Sequence, residues 1–225
     1  MEKVVLKTED GLDIVGDYYD LSIEKRGVLL LHMMPKDRKS WWDLAIKLED
    51  EGFKVLAIDL RGHGESIGGP EGYKNFSDEE HQKSILDIQA GIDFLKFLGI
   101  DLENIVLGGA SIGANLALQY ASMHSKIKKV FCLSPGLNYR GIKPLEFITN
   151  FNSSHNILIA SSLDDVYGNG LSNANDCQII FENIPKDTNK KLIIYEAAGH
   201  GTDMFFANKE NEPDLIQEII KWIKT

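Results

Sequence analysis

Ile105-Val106-Leu107-Gly108-Gly109-Ala110-Ser111-Ile112-Gly113 is the stretch whose reading decides the fold of this chain. Ile105, Val106 and Leu107 form an apolar run with the character of a buried strand. The run breaks at glycines, presents one serine, and passes at once into Ala114-Asn115-Leu116-Ala117-Leu118, a helical pattern. This is Gly-x-Ser-x-Gly in the order strand, tight turn, helix. Such a turn forces its central residue into a strained conformation, so close neighbours must lack side chains. Ser111 then stands at the tip of the turn, at a helix N-terminus whose free N–H groups and dipole favour developing negative charge. The plainer reading is a glycine-rich turn with an incidental serine, and the pentapeptide alone does not separate the two.

Outward from Ser111, strands and helices alternate. Gly27–Met33 is continuously apolar, as expected for a strand buried on both faces, and Phe53–Asp59 reads the same way. Ser40–Glu51 is helical, with Trp41, Leu44, Ala45 and Leu48 on one face. Asp78–Leu98 reads as one long helix, with Ile85, Ile88, Ile92 and Leu95 on one face and Asp78 as its cap. After the helix that runs to about Met123 come strands at Lys129–Leu133, Asn156–Ala160 and Lys191–Tyr195, then an amphipathic helix at Leu215–Ile223. At the other end, Glu2–Leu6 and Leu12–Leu21 flank Asp10-Gly11 as an antiparallel hairpin. No internal repeat or low-complexity linker interrupts the chain. The pattern predicts one α/β domain over residues 1–225, its mostly parallel sheet covered on both faces. In such sheets, active sites form at the carboxyl ends of strands. His32, Asp59, Ser111, Asp165 and His200 all follow predicted strands.

The composition narrows the partners. Of the 225 residues 43% are hydrophobic and 26% charged, which suits one domain with a substantial core. A formal net charge of -10 argues against nucleic acid and anionic membranes as partners. No apolar run approaches the roughly 20 residues that span a bilayer. The opening Met1–Lys7 lacks the apolar core of a signal peptide. Cys132, inside Val130-Phe131-Cys132-Leu133, reads as a buried free thiol, and Cys177 is the only other cysteine. That is no disulfide framework, so a reducing cytoplasm is the expected location. No Cys/His spacing suggests zinc, and neither a metal nor a cofactor is expected.

A serine hydroxyl needs a base to take its proton, and the base needs a carboxylate to fix its tautomer. His200 lies in Ala197-Ala198-Gly199-His200-Gly201, just past a predicted strand, in a loop that is either mobile or tightly turned. His81 and His124 fall on predicted helices and are expected to be solvated, and His155 precedes its strand, at the wrong end of the sheet. The acid comes from Ser162-Leu163-Asp164-Asp165, where one carboxylate orients the histidine and the other is a solvated loop charge. Spacing from the strand favours Asp165 over Asp164.

With these residues in place the chain resembles the α/β-hydrolase superfamily over nearly its whole length. Serine, acid and histidine occur in that family's order. Leu31-His32-Met33-Met34-Pro35 resembles its oxyanion-hole loop, and Asp59-Leu60-Arg61-Gly62-His63-Gly64-Glu65-Ser66 resembles the turn after its fourth strand. The acid segment resembles the family's strand–Gly-x-x-Asp pattern, which puts the aspartate at Asp165. There are two departures: His32-Met33 stands where His-Gly is common, and Ser162 replaces the glycine before the acid. The resemblance implies a mostly parallel eight-stranded sheet with helices on both faces and, here, a minimal cap at about residues 135–155. That segment has room for one helix or a loose flap. The resemblance also implies a catalytic set of Ser111, Asp165 and His200. The oxyanion donors would be the backbone amides of Met34 and Ile112, with Met33 as the substitute for Met34. His32, His63 and Arg61 are expected to brace the loops.

The activity implied is two-step hydrolysis of a small-molecule ester through an acyl-enzyme. Met33, Met34, Trp41, Phe205 and Phe206 are candidate walls of an apolar acyl pocket, against the alternative that they are ordinary core. A short cap suits short or medium acyl chains. Rival readings are a thioesterase, deacetylase or acyl-peptide hydrolase on the same three residues, and a non-catalytic ligand-binding protein. The sequence leaves the ester and the oligomeric state open.

Overall fold

The structure, a computed structural model, describes residues 1–21, 24–207 and 214–225. β1 (Glu2–Lys7) and β2 (Asp13–Tyr19) form the expected hairpin, with Val5 opposite Val15. β3 (Gly27–Leu31), β4 (Lys54–Ile58), β5 (Ile105–Ala110), β6 (Lys129–Leu133), β7 (Asn156–Ser162) and β8 (Asn189–Tyr195) complete one eight-stranded sheet. Its order is β1-β2-β4-β3-β5-β6-β7-β8. β2 runs antiparallel to both β1 and β4, and every pairing from β4 through β8 is parallel. This is the mostly parallel α/β architecture that the alternating pattern predicts.

Side chains alternate across a strand, so each central strand feeds two cores. Leu29 and Leu31 of β3 join Leu56 and Ile58 of β4 under α3 (Ile85–Phe97), α4 (Ile112–Met123) and α5 (Asn173–Asn183). Val28 and Leu30 face the other way and join Val55 and Ala57 under α1 (Trp42–Asp50) and α6 (Leu215–Lys224). Among the described residues no helix is long and apolar enough to cross a membrane.

Three local expectations are corrected. The single helix expected over Asp78–Leu98 is two: α2 (Asp78–Gln82) and α3. At the joint the backbone tightens, with Ser84 N–H donating to His81 O at 3.1 Å and Asp87 N–H to Ser84 O at 3.1 Å. The cap is Ser77 rather than Asp78, and it forms a reciprocal capping box with Glu80. His81 is buried edge-on against Phe76, and His124 stacks on Tyr120, so neither is a freely solvated surface ring. α5 was not foreseen at all. Of its buried positions, Asn173, Ala174, Cys177 and Ile180, one is polar and two are small, which hides the apolar period.

The segment after β6 is neither one helix nor a loose flap. It holds two short 3-10 turns, Pro144–Glu146 and Ile148–Asn150, with Ile142, Ile148 and Phe151 buried in the core. Asn115 of α4 fastens it, donating to Gly136 O and Ile142 O, each at 2.9 Å, and accepting from Gly136 N–H at 3.1 Å.

Candidate active site

Ser111 sits between the end of β5 and the start of α4 with φ 54° and ψ -119°. A non-glycine residue persists in that region only when its surroundings over-determine it. Here the surroundings are backbone. Ser111 N–H donates to Leu133 O at 2.8 Å, tying the turn to the end of β6. A Cβ on Gly109 would fall 2.2 Å from Gly113 O, and one on Gly113 would fall 2.3 Å from Leu31 O. Both glycines are therefore sterically obligatory. Ile112 and Gly113 open α4, so their N–H groups have no acceptor within the helix.

His200 lies on the loop between β8 and the 3-10 turn Gly201–Phe206, and its Nδ1 is 2.7 Å from Asp165 Oδ2. A carboxylate only accepts, so Nδ1 carries a proton, and in the neutral ring Nε2 keeps its lone pair. The side chains of His200 and Asp165 are 29% and 9% exposed, and Ser111 is buried at 7%. The loop is tightly turned rather than loose. Gly199 and Gly201 both have positive φ, and Gly201 N–H donates to Ser134 Oγ at 3.0 Å.

Asp164 is exposed, as expected of the second carboxylate, but it is not a bare loop charge. Its Oδ1 accepts from Ala198 N–H at 3.1 Å and from Gly199 N–H at 3.0 Å, so it holds the histidine loop by its backbone. Ser162 shares the task, accepting from Ala198 N–H at 2.8 Å and donating to Asp164 at 2.5 Å. These bonds hold the Asp164 carboxyl below its ordinary range despite partial desolvation. The two adjacent carboxylates thus have separate contacts: Asp165 with the imidazole, Asp164 with the chain that carries it.

The loop after β3 turns at Met33–Lys36, closed by Lys36 N–H to Met33 O at 2.9 Å. His32 anchors it from inside: Nδ1–H donates to Met33 O at 3.0 Å, and Nε2 accepts from Leu60 N–H at 3.0 Å. Burial pushes the pKa of His32 down to about 4. His63 contacts His32 edge-on and stacks on Tyr73 at 4.1 Å, and burial lowers its pKa to about 3. Arg61 makes a two-point pair with Asp87 (2.9 and 2.7 Å) and reaches Asp10. Sequence reasoning missed a second buried guanidinium. Arg38 ion-pairs with Asp17, Asp59 and Glu65 at 2.9, 2.5 and 2.6 Å, tying the first loop to β2 and β4.

His32 has a measurable signature. Its folded pKa lies below the ordinary value of about 6.5, so below that pH the unfolded chain binds a proton that the folded chain refuses. The stability contributed by neutral His32 is full above about pH 6.5 and is lost as pH falls toward about 4. The margin of wild type over His32→Asn in urea unfolding is expected to shrink by ~3 kcal/mol between about pH 7 and pH 4. A margin independent of pH would contradict a neutral, buried His32.

The expected pocket walls divide. Trp41 is fully buried, 5.8 Å from Phe205 and 6.0 Å from Phe131 between ring centroids, so it packs the core under the sheet and lines no open wall. Met33 and Phe205 belong to the same core; Met33 is wedged where a Cβ on Gly201 would come within 2.4 Å of its sulfur. Phe206 alone is exposed, at 71%. It lines a cleft of about 380 Å³ with Pro35, Lys36, Lys39, Thr202 and Asp203, between the Met34 loop and the residues that follow His200. Cys132 and Cys177 are both buried, and desolvation raises both thiols, so neither competes as a nucleophile.

Residues 27–160 match the family described as the alpha/beta hydrolase fold. The AB hydrolase superfamily protein YisY of Bacillus subtilis is 31% identical over 111 residues, which is 48% of this chain and 37% of that protein. The chain thus spans well under half the length of that relative. Among solved structures, the esterase Pf2001 of Pyrococcus furiosus superposes with a TM-score of 0.77 at 20% identity, over 99% of this chain and 89% of that one. The esterase EaEST of Exiguobacterium antarcticum does so with a TM-score of 0.76 at 16% identity, over the full length of both. At these identities the likeness is one of fold. By the family match over most of its sheet, the chain belongs to the alpha/beta hydrolase family.

Proposed function

We propose that this protein is a serine hydrolase that cleaves carboxylic esters of short to medium acyl chains through an acyl-enzyme. The observation that carries the reading is the His200–Asp165 pair, in which Nδ1 faces the carboxylate, on loops beside the strained turn of Ser111. His200 Nε2 takes the Ser111 proton as Oγ bonds to the carbonyl carbon. The amides of Met34 and Ile112 receive the oxyanion. The imidazolium then protonates the departing alcohol, and water, deprotonated by the same nitrogen, releases the acid and restores Ser111.

The cleft beside Phe206 lies between the segments that follow Met34 and His200; Pro35 and Phe206 are its apolar walls, among Lys36, Asp37, Lys39, Ser40, Thr202 and Asp203, and its small apolar area suits only a short stretch of an acyl chain. Each methylene that finds apolar cover contributes up to ~0.8 kcal/mol, and carbons beyond the cleft stay in water and contribute little. On a panel of p-nitrophenyl esters, kcat/KM is expected to peak at acyl chains of about two to eight carbons. Faster hydrolysis of long-chain triglyceride emulsions than of short soluble esters would contradict this. Labelling by a fluorophosphonate separates the serine hydrolase from a silent binding protein: labelled Ser111 is expected, and an inert Ser111 overturns the reading.

A further inference from the structure

His200 is fastened on three sides. At its ring, Nδ1 meets Asp165 Oδ2 at 2.7 Å. Before it in the chain, Ala198 N–H donates to Ser162 Oγ at 2.8 Å and Gly199 N–H to Asp164 Oδ1 at 3.0 Å. Ser162, Asp164 and Asp165 all stand at the end of β7 or just past it. These ties fix the histidine to its acid and leave its separation from Ser111 unset. The tie after it goes elsewhere: Gly201 N–H donates to Ser134 Oγ at 3.0 Å, and Ser134 directly follows β6.

β6 is the strand beside the nucleophile turn. It pairs with β5, Leu133 opposite Ala110, and Leu133 O accepts from Ser111 N–H at 2.8 Å. A short path therefore joins the two reacting residues. It runs from the Ser111 amide to Leu133 O, one residue on to Ser134 Oγ, and from there to the amide next to His200. Ser134 N–H donates in turn to Ala160 O of β7 at 2.8 Å, so the hydroxyl stands on backbone held from both neighbouring strands.

Aiming that hydroxyl strains the chain. Ser134 is fully buried and holds φ 50°, a region that a residue with a Cβ enters at a cost. Glycine would adopt it freely but would offer Gly201 no oxygen. Outliers of this kind collect at functional sites, where the surroundings over-determine them. The loop on the other side has no slack either, since a Cβ on Gly201 would fall 3.3 Å from the Cβ of Ala110, the residue before Ser111. Proton transfer needs the base within hydrogen-bond reach of the hydroxyl, and small misplacements cost rate steeply.

We propose that Ser134 is a positioning residue: its hydroxyl sets the His200 loop at the working separation from Ser111. The proposal rests on the serine reading of Ser111 given above.

The test measures kcat and KM on p-nitrophenyl acetate, the melting temperature, and the rate of Ser111 labelling by a fluorophosphonate in wild type, Ser134→Ala and Ser134→Gly. Both variants lose the acceptor, and only glycine also loses the strain. In both, kcat and the labelling rate are expected to fall together by about tenfold, with KM little changed. Ser134→Gly is expected to melt above Ser134→Ala, and it carries the test should the alanine variant fail to fold. A merely structural residue would make activity follow stability, so kcat restored in Ser134→Gly overturns the proposal. A kcat unmoved in both variants, with wild-type Ser111 labelled, overturns the role of Ser134 and leaves the serine reading standing. Unlabelled wild-type Ser111, with full turnover in Ser111→Ala, overturns the serine reading and this proposal with it.

Discussion

Ser111→Ala is expected to lower kcat on p-nitrophenyl esters by on the order of 10⁴- to 10⁶-fold, with the melting transition little changed. The size follows from the chemistry. Without Oγ there is no acyl-enzyme, and only binding and the oxyanion amides remain to assist direct attack by water. The unchanged fold follows from the turn. Ser111 holds φ 54° because Gly109 and Gly113 let the backbone of β5, α4 and β3 close around it, and alanine carries the same Cβ into the same space. Any variant that keeps about a tenth or more of wild-type kcat would remove Ser111 from the mechanism. A large fall in melting temperature would mean that its hydroxyl holds the turn together as well.

The second large effect separates the neighbouring acids. Asp165→Asn is expected to cost on the order of 10⁴ in kcat, because an amide offers Nδ1 an N–H and stabilises the tautomer whose Nε2 cannot take a proton. Asp164→Asn is expected to cost on the order of tenfold or less. Its carbonyl still accepts from Ala198 and Gly199, and only the charge assistance is lost. Steady-state kinetics on both variants decides the matter. If Asp164→Asn is the more damaging, the His200 loop depends on its backbone anchor more than on the orientation of its ring.

Much of this was legible in residues whose environment is set locally. Gly27–Leu31 and Ile105–Ala110 are continuously apolar because both faces of a central strand are covered, and they read as such without any partner in view. The turn at Ser111 was legible because its glycines answer a local steric demand. Asp165 emerged from its distance past the end of β7, which a backbone of fixed rise per residue dictates. What escaped depends on partners far away in sequence. Arg38 is surface-like in composition and buried only because Asp17, Asp59 and Glu65 converge on it. α5 buries Asn173 and Cys177 where a helix usually buries leucine, because Asn173 serves Pro135, Ser161 and two tyrosines. Trp41 reads equally well as pocket or core, and only the packing of Phe131 and Phe205 against it decides.

Gly113 has a consequence beyond the strain it relieves. Its Cα faces the carbonyl of Leu31 so closely that a methyl group there would fall 2.3 Å from it. The two segments that bear the Met34 and Ile112 amides are therefore spaced by backbone against backbone. In the proposed mechanism the distance between the two donors is a property of the main chain, while Met33 is fixed by the core. Such a protein can exchange what it recognises while keeping what it does: the exposed residues of the loop, such as Lys36, can drift with the substrate, and the geometry that receives the oxyanion is inherited unchanged.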